Sequence, residues 1–288
     1  MRFTGDSDTR SGYTYVGEWW AQAVSAYPTT NRRNRGPVCQ TQEVRFAEGM
    51  TVDRSGTLYV AGHLLRSAGV ATFGPNCGGA GASFVDPTDS PQDPVVDGAT
   101  LYLTTIDDGS QAASIFVYNL TTGPEPMRQL TDPNAGLGIG VAVDSHHDLF
   151  WATNNPWSLG GQVIEFRRGQ MPGTLLKATS IGSDYPGGVL VDRSNNLLFI
   201  DQSRAAIYIY ARPYDAAPFS TISLKGYAEY CALGVNQTRI YCMDEAYASV
   251  DAYTYPKGTY LYSYTNGIDG KQGPGGIAIA APSSGSSR

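Results

Sequence analysis

Residues 188–210 read GVLVDRSNNLLFIDQSRAAIYIY, and this stretch decides the fold. A glycine opens an apolar run ending in Val191-Asp192, a polar turn follows, and two further apolar runs come after it. Short runs of β-favouring residues separated by turn formers predict successive antiparallel strands. The opening recurs as GMTVD from Gly49, DPVVD from Asp93, GVAVD from Gly140, ALGVN from Ala232 and GIAIA from Gly276, with a period of about 45 residues. Second runs follow as TLYVAG, TLYLTT, DLFWAT, LLFIDQ and RIYCMD. A third element keeps the phase, an aliphatic residue followed three positions later by an aromatic: Val24/Tyr27, Val70/Phe73, Ile115/Tyr118, Val163/Phe166, Ile207/Tyr210 and Val250/Tyr253. A period of this length with three or four short strands per unit predicts an all-β, six-bladed β-propeller.

The chain ends support the same reading. The N-terminal part supplies a second and third strand without a first, and GGIAIAAP near the C-terminus supplies a first strand without a second. The last blade is therefore expected to be closed by N- and C-terminal strands, giving a single domain over residues 1–282 and a disordered tail over 283–288. Length and composition agree. The 288 residues contain no linker-like stretch, 34 are Gly and 19 are Tyr, and only 16% are charged, which suits strands and tight turns better than long helices.

A formal charge of −6 without any basic block argues against nucleic acid or an anionic membrane surface as partner and leaves room for a small cation. No apolar run reaches the ~20 residues of a membrane span, and the first thirty residues lack a signal-peptide pattern. The four cysteines form no CxxC pair. A hairpin turning at Asn236-Gln237 places Cys231 opposite Cys242, a register that permits a cross-strand disulfide; spacing leaves the pairing of Cys39 with Cys77 open. A bridge implies work outside the reducing cytoplasm, in a secreted, periplasmic or cell-surface protein.

In a propeller, loops leaving the second strands and entering the first strands share one mouth of the channel. The first strongly polar residues after the second strands are Glu18, His63, Asp107, Asn154, Asp201 and Asp244. Such a ring of hard ligands would suit Ca²⁺, while the same acids also serve to cap turns. Trp19, Trp20, Trp157, Tyr185, Tyr227, Tyr230 and Tyr247 gather in loops on that face and would make a stacking platform for a sugar, a peptide or a protein. His146 and His147 fall in the turn on the opposite face, where turn geometry explains them better than a ligand. There is no GxSxG elbow, HExxH, phosphate loop or dinucleotide fingerprint, and a Ser/His/Asp triad would have to use His63 without an evident serine. Asn119-Leu-Thr and Asn236-Gln-Thr match the glycosylation acceptor pattern.

The repeats GMTVDRSGTLYVAG and GVLVDRSNNLLFIDQSRAAIYIY resemble NHL-type blades, and the resemblance covers roughly residues 13–282. The chain is also distantly similar to the gluconolactonase/regucalcin family, six-bladed propellers that hydrolyse lactones with a divalent metal. That family heads an inner strand with a metal-binding Glu in a Glu-Gly-Pro context, and EGMTVD puts Glu48 there. Its other ligands would fall at Ile139, Gly187, Cys231 or Gly275, which cannot serve; Gln92 offers an oxygen, and Asn154, Asp201 and Asp244 could substitute from the second-strand ends. Two expectations result. The first is a monomeric, extracytoplasmic propeller binding a small molecule, glycan or protein through Trp19, Trp20, His63, Asp107, Trp157, Tyr185, Tyr230 and Tyr247. The alternative is a lactonase-type hydrolase with Ca²⁺ at Glu18, Glu48 and Asn154 and Asp201 or Asp244 as general base.

Overall fold

The computed structural model describes residues 12–19, 22–41, 43–64, 67–75, 77–107, 112–157, 160–181, 185–268 and 274–282. Trp20 and the 283–288 tail lie outside them. In chain order the strands are β1 (Tyr13–Glu18), β2 (Ala23–Pro28) and β3 (Cys39–Thr41); β4 (Met50–Val52), β5 (Leu58–His63), β6 (Ala68–Phe73) and β7 (Ala80–Val85); β8 (Pro91–Asp97), β9 (Thr100–Ile106), β10 (Ala113–Asn119) and β11 (Arg128–Leu130). There follow β12 (Gly138–Val143), β13 (Leu149–Asn154), β14 (Gly161–Phe166) and β15 (Thr174–Leu175); β16 (Pro186–Val191), β17 (Leu197–Asp201), β18 (Ala206–Tyr210) and β19 (Ser220–Ser223); and β20 (Cys231–Leu233), β21 (Arg239–Asp244), β22 (Ser249–Thr254), β23 (Tyr260–Tyr264) and β24 (Pro274–Ala280).

They form six four-stranded antiparallel sheets, the first in the order β24-β1-β2-β3. β24, β4, β8, β12, β16 and β20 touch in that cyclic order and close a ring around a channel. The chain is thus a six-bladed propeller whose two ends share a blade: Tyr13 pairs with Ala280, Thr14 with Ile279, Tyr15 with Ala278 and Val16 with Ile277. No helix among the described residues is long and apolar enough to cross a membrane.

The hydrophobic core is divided into one layer at each blade interface. Residues three apart on a strand point to opposite faces, so the aliphatic/aromatic pairs of the third strands serve two interfaces at once. Val24 packs toward the second blade and Tyr27 toward the sixth. The other pairs do the same: Val70 and Phe73, Ile115 and Tyr118, Val163 and Phe166, Ile207 and Tyr210, Val250 and Tyr253 each split between the next and the preceding interface. All twelve side chains are buried, and burying one such side chain contributes roughly 1.5–3 kcal/mol.

The recurring Val-Asp is a turn device. Asp53 Oδ1 accepts the backbone N–H of Ser55 (2.8 Å) and Thr57 (2.9 Å), Asp144 Oδ1 those of His146 (2.8 Å) and Asp148 (2.9 Å), and Asp192 Oδ1 those of Ser194 and Asn196 (both 2.8 Å). These carboxylates satisfy amides that a tight turn leaves unpaired. His146 and His147 sit in the Asp144 turn, where Arg212 of the next blade donates to Asp144 (2.9 Å) and Asp148 (2.6 Å). In the sixth blade the equivalent turn starts at Gly234, whose N–H donates to Arg239 O. Its inner strand therefore begins two residues earlier than ALGVN suggests: Leu233 pairs with Ile240 as Val52 does with Leu58, and Glu229, rather than Cys231, stands where Glu48 stands in the second blade.

Cys231 and Cys242 are register partners and form the expected disulfide, with Cα atoms 4.1 Å apart. Cys39 and Cys77 also pair, Cα atoms 6.2 Å apart, and link the first blade to the second across a sequence separation of 38. Closing a loop of that length removes about 4 kcal/mol of unfolded-state entropy. A Cys39→Ser/Cys77→Ser variant is accordingly expected to melt several degrees below the parent in non-reducing buffer, and coincident melting curves would refute the contribution.

Candidate functional site

Six residues head the inner strands at the mouth that the second strands run toward: Glu48, Gln92, Ile139, Gly187, Glu229 and Gly275. One position further into the channel come Gly49, Asp93, Gly140, Gly188, Tyr230 and Gly276. The glycines are needed because the strands converge here. A Cβ on Gly276 would lie 1.9 Å from Glu48 O, and one on Gly140 would lie 2.4 Å from Gly188 Cα. Asp93 and Tyr230 fill the space between them, 8% and 5% exposed. Tyr230 belongs to the same packed cluster as Ile277 and as Ile139 of the fourth blade, so its ring reaches into the channel. Below this layer the channel is an internal space of about 220 Å³ lined mainly by inner-strand residues such as Val95, Val143 and Val191, ending at the turn face.

Four carboxylates share a well, Glu48, Glu229 and Glu245 above the layer and Asp93 of the layer itself at its floor. Glu48 Oε1 accepts the Trp19 indole N–H at 2.5 Å, Asp93 Oδ2 accepts the Val141 N–H at 3.0 Å, and Glu245 Oε1 accepts Gln202 Nε2 at 2.9 Å. Among the described residues Glu229 has no hydrogen-bond partner for its carboxylate, and the Tyr230 hydroxyl is buried without one. Protein surrounds these groups on most sides, so burial disfavours their charged forms. Burial lifts Asp93 to about 8 against one lowering contact from Val141. Burial, joined by the charge of Glu245, lifts Glu48 to about 7 despite the Trp19 bond. Glu229 is pushed up by burial and then by Glu48, Glu245 and Asp93, and Glu245 by burial and Asp244 against its bonds from Gln202 and the Glu229 N–H. The Tyr230 phenol is raised by burial and by all four carboxylates. The well thus holds more potential negative charge than its own contacts offset.

The residues expected at the second-strand ends are placed on the same face but are occupied locally. Glu18 accepts the Ser25 hydroxyl, Asn154 Oδ1 the Leu137 N–H at 2.6 Å, Asp201 Oδ1 the Arg204 N–H at 3.0 Å, and Asp244 Oδ1 the N–H groups of Ala246 (3.0 Å) and Tyr247 (3.2 Å). The Asp107 N–H donates to Ala112 O, and His63 packs edge-on against Phe46, which packs in turn on Trp19. The aromatics divide: Trp157 (89% exposed), Tyr185, Tyr227 and Tyr247 stand in solvent, Trp19 is half-buried, and Tyr230 is in the channel. Sequence reading missed Glu229, Glu245 and the role of Asp93. Counting the sixth blade back from the Gly234 turn would have found Glu229.

No three His, Cys, Asp or Glu residues among those described form a group able to hold a metal ion. The calcium that the lactonase resemblance implies requires six or more convergent oxygens; here three of the four carboxylates already have an oxygen engaged by a neutral N–H, and the set does not fit.

The fold defines the class, a six-bladed propeller, and solved structures share it. One chain of a nidogen/laminin complex superposes with a TM-score of 0.74 at 15% identity, covering 94% of this chain and 99% of that one. The calcium-binding protein regucalcin from Agrobacterium tumefaciens gives 0.58 at 15% identity over 82% and 78%, and a luciferin-regenerating enzyme 0.59 at 9% identity over 82% and 80%. No protein-family model and no curated protein matches the sequence.

Proposed function

We propose that this propeller is an extracytoplasmic binding protein that takes a ligand at the mouth floored by Glu48, Glu229 and Glu245 and rimmed by Tyr185, Tyr227 and Tyr247. The observation that carries the reading is the gathering of four carboxylates around a buried, unpartnered phenol. Uncompensated buried charge costs stability and persists where a ligand offsets it. Two disulfides support an oxidising compartment. The propeller of the nidogen/laminin complex supports use of this fold in partner binding.

The test is a set of thermal melts against calcium, amines, monosaccharides and lactones. A mouth ligand raises the melting temperature, the rise disappears in Glu48→Gln and Glu229→Gln, and it survives His147→Ala on the far face. Ligand at a hundredfold excess over Kd adds about 2.7 kcal/mol, a shift of several degrees. Ligands whose shifts ignore both Gln variants would refute the site. Calcium-dependent lactone hydrolysis lost in Glu48→Gln would replace binding with the hydrolase reading.

A further inference from the structure

We propose that the mouth selects an organic cation, a primary ammonium or guanidinium carried on a hydrocarbon body, with Glu229 and Glu48 as its counter-ions. The inference rests on the binding reading above and names the ligand class. The well needs positive charge, because Glu229 meets three other acids and no donor. The arrangement of the oxygens decides which cation. Trp19, Val141 and Gln202 each take one oxygen of Glu48, Asp93 and Glu245. The remaining acceptors come from three blades and do not converge as a compact metal ion demands. An ammonium or guanidinium spreads three to five N–H donors over several ångströms and matches separated acceptors.

The uncharged half of the mouth points the same way. Gln92, Ile139 and Gly187 head the three consecutive inner strands across the ring from Glu229 and Glu48, and no charged side chain stands on those three positions. One side of the opening is acidic and the other is uncharged, an amide, an apolar side chain and bare backbone, which suits a cation attached to hydrocarbon rather than a hydrated ion. The Tyr230 hydroxyl is buried, lacks a partner and lies in the field of all four acids. It can accept a hydrogen bond from the cation's N–H. On the rim, the Tyr247 ring already holds an ammonium of the chain itself, Lys225 Nζ lying 5.1 Å from the ring centroid.

Isothermal titration of the full chain at low salt, with n-butylammonium, n-butylguanidinium, n-butanol, calcium chloride and gluconolactone as probes, tests this. At least one of the two organic cations should bind saturably while n-butanol does not. Glu229→Gln and Glu48→Gln, both isosteric and each checked by its melt, should weaken that binding on the order of tenfold or more. Absence of saturable binding by both organic cations overturns the inference. If calcium or the lactone then binds in a Glu229-dependent way, only the ligand class has failed. If no probe depends on Glu229, the mouth-binding reading fails with it. Equal binding of n-butanol would also overturn the inference, since charge would then not be what the well reads.

Discussion

A chain that stops at residue 273 is expected to lose its folded monomer altogether. β24 is the axial strand of the first blade; without it β1 presents an unpaired edge and the cyclic contact from β20 through β24 to β4 is broken. The truncation also uncovers Val16 and Tyr27, which pack with Ile277, and Tyr15 and Met50, which pack with Ala278 and Ala280. Loss of two interblade layers and a ladder far exceeds the 5–15 kcal/mol by which domains are stable, and exposed edges template association. Circular dichroism and size exclusion should show an unfolded or aggregated product. A peptide spanning 274–282, added during refolding, should restore part of the native signal by strand addition. A truncated chain that melts cooperatively as a monomer would show that the ring does not need closure.

Raising the pH from about 4 to about 8 is expected to erode stability, and Asp93→Asn to remove a large part of that erosion. Asp93 moves from 3.8 to about 8 in the fold and Glu48 from 4.5 to about 7, with Glu229 and Glu245 shifted the same way. Below the unfolded values both states hold the protons, and the fold has nothing to lose. Between the unfolded and folded values the unfolded chain has released protons that the folded chain retains, so stability falls with pH until the folded carboxyl also ionises. Each unit corresponds to about 1.4 kcal/mol. With water entering the channel to moderate it, a few kcal/mol, or on the order of 10 °C for a domain of this size, is the expected scale. Asn at this position keeps an oxygen for the Val141 N–H and carries no charge. Melts of the two proteins across the pH range should diverge as pH rises; parallel curves would place the carboxyl in ordinary solvent.

The architecture was legible because each blade repeats one solution. Val163 and Phe166, three apart on one strand, reveal alternation between two buried faces without knowledge of what lies on either side. The Asp53, Asp144 and Asp192 turns carry their own side-chain signature. The acidic well had no such local mark. Glu245 is adjacent to Asp244, one bound to Gln202 and the other to its own turn amides, and nothing in the tetrapeptide MDEA says which does which. Glu229 was hidden because Gly234 takes the place of the turn Asp, so ALGVN aligned as a repeat opening when YCALG, directly after Glu229, was the true one. Burial and mutual repulsion of residues 48, 93, 229 and 245 arise only when three blades are brought round one axis, a long-range property that no window of sequence contains.

The shared blade also sets an orientation. Tyr13 and Ala280 are neighbours at the end of the sheet where the Asp53 turn lies, lining one surface depression with Arg54, Ser55 and Pro282. Both ends of the described chain therefore leave the molecule on the side away from the acidic well. A tag, fusion partner or surface linker joined directly before residue 12 or directly after Pro282 would hold the propeller like a cup by its base, with the opening presented to the solution. Immobilising such a trimmed chain from one side or the other should make no difference to which molecules reach that opening.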